Sequence, residues 1–180
     1  HRSGYAILSR RLARYYLSAA ASLRREITSG NQLEAAQAYS TIYPNLIAAL
    51  SHTEATGQWQ LVRDLVYAVA PYQAAVGLWA DHARCAQAGL NACTQLHDTA
   101  GIADMHLFLG NALCHTPASD QQDPVAAAIK HYEAALKLHA AGSAPHIQPM
   151  AALNLGNAYA DLQTGERGPN LKHATRCYES

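Results

Sequence analysis

The chain has 180 residues, of which 49% are hydrophobic and only 14% charged, and its thirteen basic and thirteen acidic side chains cancel. That length suffices for one ordinary domain or a short repeat array, and a net charge of zero supplies no global field to draw the chain onto nucleic acid or an acidic membrane. No apolar run approaches the about 18 residues of a membrane span, and no signal peptide is visible.

Ala and Leu dominate, β-branched runs and strict alternation are absent, and apolar residues recur at three and four, which predicts helices throughout. Breakers fall at Ser29-Gly30-Asn31, Thr56-Gly57, Val76-Gly77, Asp98 to Gly101, Thr116 to Pro124, Gly142 to Pro145 and Thr164 to Pro169. They partition the chain into about eight helices, over residues 4–28, 32–54, 58–75, 79–97, 101–115, 124–140, 146–162 and 169–179. The first carries Arg10, Arg11, Arg14, Arg24 and Arg25. These read first as a solvated face or a contact to a missing neighbour, and second as a polyanion site. Pro44 falls inside the second helix and should kink it or split it near Tyr43, because it removes a backbone donor. Short loops between helices make sequence neighbours antiparallel. The chain begins at His1 and stops mid-pattern at Tyr178-Glu179-Ser180, so it reads as a piece of a longer protein.

Two stretches repeat, LFLGNALCHTPASDQQDPVAAAIKHYE (107–133) and LNLGNAYADLQTGERGPNLKHATRCYE (153–179). Gly110 and Gly156 are 46 residues apart (156 − 110), as are Tyr132 and Tyr178 (178 − 132). A glycine on one helix opposite a small residue on the next lets two axes approach, since the side chains at a crossing set the interaxial distance. Gly110 with Ala128 and Gly156 with Ala174 are the expected close pairs, and Tyr132 and Tyr178 would fill the space before the next hairpin.

Leu155, Gly156 and Tyr159, with Ala128, Tyr132 and Ala135, resemble the L-G-x-x-Y and A-x3-Y-x2-A signatures of the tetratricopeptide repeat. Compared with that repeat, extra residues lie in HTPASDQQDP and LQTGERGPN, where they extend a helix or widen the turn. Residues 43–90, through Asn45, Leu46, Ala48, Ala49, Leu50, Gly57, Trp59, Tyr72, Gly77 and Trp79, are similar to the segment that opens the repeat region of bacterial STAND signal-transduction ATPases. The two resemblances imply an all-α, right-handed solenoid of helix hairpins. Leading helices would occupy 1–56, and repeats about 58–97, 101–141 and 146–180 within 57–180. They also imply a parent chain with a nucleotide-binding domain elsewhere.

The residues themselves offer little chemistry. No phosphate-cradling Gly-Lys-Ser/Thr loop, G-x-S-x-G or H-E-x-x-H occurs. Cys85, Cys93, Cys114 and Cys177 form no CxxC pair and read as reduced cytoplasmic thiols. The pairs His82/Cys85 and Cys93/His97 lie too far apart along a helix for a four-ligand site. Adjacent Cys114 and His115 point about 100° apart on a helix and cannot pair. Trp59 and Trp79 read as interhelix wedges before ligand platforms. No catalytic group, metal or cofactor is therefore expected. In stacked hairpins the residue after the glycine faces the groove lined by the first helices. Asn111 and Asn157 hold that place, with Leu107 and Leu153 one turn before and His115 and Asp161 one turn after. The expectation is a binding module for a peptide or protein, another domain of the parent included. It would serve as the sensing or autoinhibitory part of a STAND regulator, with a stand-alone adaptor as the alternative.

Overall fold

The computed structural model describes residues 2–28, 32–117, 123–140, 142, 147–162 and 165–179, without the side chains of 2–9, 24, 26–28, 32 and 33. The expected breakers Ser29-Gly30-Asn31, parts of Thr116 to Pro124 and of Gly142 to Pro145, and Thr164 lie outside the described residues, as does the Arg24 side chain. Among the described residues there are eight α-helices and no strand. They are α1 (Arg2–Thr28), α2 (Gln32–Ala55), α3 (Trp59–Val76), α4 (Trp79–Gln95), α5 (Thr99–Cys114), α6 (Pro124–Ala140), α7 (Gln148–Asp161) and α8 (Arg167–Tyr178). None is long and apolar enough to cross a membrane.

The chain divides into two compact units, His1–Gly77 and Leu78–Ser180, and the division falls inside the repeat expected over 58–97. In the first unit α3 packs on both α1 and α2. Leu46, Leu50, Val62, Leu65, Val66 and Val69 are buried there, together with Tyr39. The Tyr39 hydroxyl donates to the Ala68 carbonyl. Its ring stacks on Tyr72 with centroids 4.8 Å apart, and the Gln73 amide donates to the Tyr43 hydroxyl at 3.1 Å. Helix α2 ends in a double cap, Gln58 N–H to Thr53 C=O and Gly57 N–H to Glu54 C=O, with Gly57 left-handed at φ 66°. Pro44 does not split α2, and Pro71 sits inside α3. Both prolines are exposed.

In the second unit each helix packs on the next, and α5 also touches α7. The end of α4 repeats the double cap, Asp98 N–H to Cys93 C=O and His97 N–H to Thr94 C=O. Here His97 adopts φ 54° where the earlier turn has glycine, a geometry that costs a side-chain-bearing residue about 1–2 kcal/mol. The same turn starts α5, because the Asp98 carboxylate accepts from Gly101 N–H at 2.9 Å. Asp123 caps α6 likewise, accepting from Val125 and Ala126 N–H, ahead of Pro124 at the first helical position. The two insertions resolve differently. In the first copy, residues 115–123 separate α5 from α6, whereas in the second α8 already begins at Arg167, ahead of Asn170, which matches Pro124 in the repeat. Part of the second insertion has thus become helix. The core of these hairpins runs through Ala103, Leu107, Ala128, Ile129, Tyr132, Ala135, Ile147, Ala151, Leu155 and Ala158.

Candidate functional site

The repeated residues build the same contact twice. A Cβ placed on Gly110 would lie 2.7 Å from Cδ1 and 2.8 Å from Cζ of Tyr132. One placed on Gly156 would lie 2.8 and 2.9 Å from the same atoms of Tyr178. What a side chain at each glycine would meet first is therefore the tyrosine ring of its own hairpin. The tyrosine ring occupies the space that a side chain at the glycine would need. Ala128 and Ala174 are buried beside it. The asparagine after each glycine then holds the tyrosine: Tyr132 O–H donates to Asn111 Oδ1 at 3.0 Å, and Tyr178 O–H to Asn157 Oδ1 at 2.9 Å. Glycine, ring and amide together form a clasp that sets how the two helices of a hairpin meet.

The clasps differ in what lies over them. Asn111 Oδ1 also accepts from Asn154 Nδ2 at 2.8 Å, which ties α5 to α7. The carbonyl uses both lone pairs, and Asn111 is half-buried. Asn157 is exposed. Leu107 is 4% exposed and belongs to the core, while Leu153 is 53% exposed. His115 Nδ1 bonds its own turn at Asn111 C=O, 2.9 Å away, and its ring stacks on Trp79 with centroids 3.8 Å apart. Asp161 is exposed at the end of α7. Of the six expected groove residues, Leu153, Asn157 and Asp161 thus share an open face of α7 with Met150. On α5, Leu107 is inside and Asn111 is engaged by two side chains.

Titratable groups in this unit are shifted mainly by burial. Burial pushes the Cys114 thiol up, and its sulfur lies 3.5 Å from the Tyr132 hydroxyl while His115 is turned onto Trp79, so the two neighbours diverge. The Tyr132 hydroxyl is raised well above its ordinary range, first by burial. Tyr159 is pushed up to about 12 by burial and by its 2.8 Å bond to Glu133. Cys85 and Cys93 are fully buried, and His82 lies in the core with its ring 5.5 Å from Phe108. Among the described residues no three His, Cys, Asp or Glu side chains gather around a point where a metal could sit.

Two arrangements are not legible from residue spacing. His106 and His131 meet across α5 and α6, Nδ1 to Nδ1 at 2.9 Å. Their ring centroids are 5.2 Å apart, the separation of rings touching nose to nose. The two lone-pair directions oppose rather than converge, so this is a hydrogen bond and not half of a metal site. Asn154 stands where the repeat has Phe108, and that mismatch between the copies was the only clue to its bridging role. No family model matches the sequence, and neither a curated protein nor a solved structure matches it.

Proposed function

We propose that this chain is a protein-binding module of tetratricopeptide type, a right-handed solenoid of hairpins. It would act in the cytoplasm as the ligand-sensing or autoinhibitory part of a STAND-type regulator. One observation carries the binding reading. The clasps fix each hairpin from within, and α7 is left with an open row of two apolar and two polar side chains, Met150, Leu153, Asn157 and Asp161. Exposed apolar side chains flanked by polar ones suit a peptide or protein surface. The regulator itself is supported only by the resemblance of residues 43–90, and a stand-alone adaptor is the alternative. A glycine-rich Lys-Ser/Thr loop in the sequence upstream of His1 would go with the regulator, and its absence with the adaptor. Binding is tested with a displayed peptide library selected on the chain and counter-screened on a Leu153→Asp/Asn157→Ala double variant. Peptides that lose the double variant are expected. No enrichment, or peptides indifferent to both substitutions, would sink the reading.

A further inference from the structure

We propose that the His106–His131 pair is an acid-operated latch on the α5–α6 hairpin. When both rings are protonated, the clasp of Gly110, Tyr132 and Asn111 opens and releases the bond by which Asn111 holds α7. The latch is independent of what the chain binds.

The bond at the centre of the latch tolerates one added proton and not two. His106 Nδ1 and His131 Nδ1 are 2.9 Å apart, so in the neutral pair one Nδ1 carries a hydrogen and the other accepts it. A first added proton goes to Nε2 of the donor ring and leaves that bond in place. A second has only Nδ1 of the acceptor ring to go to. Each Nδ1 then points a hydrogen at the other, and two positive rings sit with centroids 5.2 Å apart. Both residues are half-buried, where water screens such charges less.

No neighbour offsets the second charge. Among the described residues neither ring forms an ion pair. On the packed elements, α4 buries His82, Cys85 and Cys93 and pairs Asp81 with Arg84. Helix α5 carries Asp104 and Cys114, and α6 carries Lys130, Glu133, Lys137 and His139. Glu133 accepts from Tyr159 of α7, and Asp161 at the end of α7 acts on Cys114. None of these groups raises the pKa of either ring. Burial lowers both, and His131 lowers His106 further.

Latch and clasp are neighbours on the same two helices. His106 is four residues before Gly110, hence on the same face of α5, and His131 adjoins Tyr132 on α6. A Cβ on Gly110 would lie 2.7 Å from Cδ1 of Tyr132, so α5 and α6 meet here without slack. Forcing the His rings apart moves the Tyr132 ring off Gly110 and its hydroxyl off Asn111 Oδ1, since packed contacts part rather than stretch. The same Oδ1 accepts from Asn154 of α7 at 2.8 Å. The α7–α8 hairpin repeats the clasp without the latch, because 46 residues on His106 becomes Ala152 and His131 becomes Cys177. Acid should therefore open the first clasp and leave the second closed.

The test is NMR of the full chain titrated from about pH 7.5 to about 5, where ordinary carboxylates stay charged. It follows the ring C–H signals of His106 and His131, the side-chain amide of Asn154, and the rings of Tyr132 and Tyr178. The hydrogen-bonded shift of the Asn154 amide should be lost, and Tyr132 should move, with the second of two histidine protonation steps. Tyr178 should not move. His131→Gln offers His106 an amide N–H and removes the second charge, so the clasp should stay closed at the acid end. His106→Gln is the reciprocal variant and serves if the first does not fold. Four results would overturn the proposal. One is Asn154 and Tyr132 unmoved while both rings titrate. Another is a ring that stays neutral to about pH 5, which would leave no latch in the range where histidine normally switches. A third is Tyr178 moving together with Tyr132, the mark of general loosening in acid. The last is an unchanged opening in the glutamine variant, which would assign it to another group.

Discussion

At Gly110 the physical question is whether a ring or a methyl group occupies the space. An added Cβ would overlap Tyr132, whose ring is held by the core around it and by Asn111. Gly110→Ala should therefore destabilise by about 1–3 kcal/mol, the usual cost of overpacking. Gly156→Ala meets the same overlap, but Tyr178 is half exposed and can swing aside, so it should cost less than half as much. Urea midpoints of the two variants measure the difference, and equal losses would mean that the rings are equally held. The His106–His131 bond makes a second claim at this scale. In the neutral pair one Nδ1 carries the proton and the other accepts it, whereas two imidazolium rings would face each other proton to proton. Burial holds both rings below the ordinary 6.5, and for His106 the neighbouring His131 lowers it further. The unfolded chain then binds more protons than the folded one just below that value. Stability from this pair is complete above pH 6.5 and is lost as the pH falls through the lowered folded values. The urea midpoint should drop from pH 7.5 to 5.5, and His131→Gln should flatten that slope. An unchanged slope in the variant would clear the pair of any role.

Among the elements, α6 packs on α5 on one side and α7 on the other, while α8 packs chiefly on α7. A repeat element is supported by its neighbours, so amides of α8 should exchange faster than those of α6, which open with the larger free energy. Slower exchange in α8 than in α6 would contradict the packing described here. The order and extent of most helices could be read from apolar spacing and breakers alone, because Gly57, Gly77 and the Asp98 cap are local signals. The reading weakened where local signals do not decide. Pro44 predicts a kink or a split in α2, and the helix runs on through it unsplit, since one lost hydrogen bond does not break a long helix. The proline signal puts the start of the last helix at Pro169, yet Arg167 and Gly168 already join it, as a first turn needs no inward donors there. The 46-residue spacing singles out the glycines and tyrosines, but it does not say that each ring lies where a glycine Cβ would go, nor that the following asparagine accepts from the tyrosine hydroxyl. The pairs His106–His131 and Asn111–Asn154 depend on which faces meet, and one sequence does not say so.

At the scale of the whole chain, residues 78–180 carry a complete set of the features that hold a fold together. The core from Ala103 to Ala158 lies within α5 to α7. The side-chain N-caps of α5 and α6 come from Asp98 and Asp123, and both clasps close inside this unit. The helices of α4 to α8 touch in chain order, so the contacts that must form are mostly between near neighbours, which favours rapid folding. Residues 78–180 expressed alone should then fold to a helical unit with a single cooperative urea transition. Within it, Leu155→Ala should cost about 2–5 kcal/mol, as truncation of a buried leucine does, and Gly110→Ala should lower its midpoint as it does in the full chain. Circular dichroism and dispersed amide spectra of the isolated unit decide the matter. A chain that is helical but without amide dispersion would mean that its packing needs residues 1–77. A cooperative fold insensitive to Leu155→Ala would mean that the core is not organised around α7.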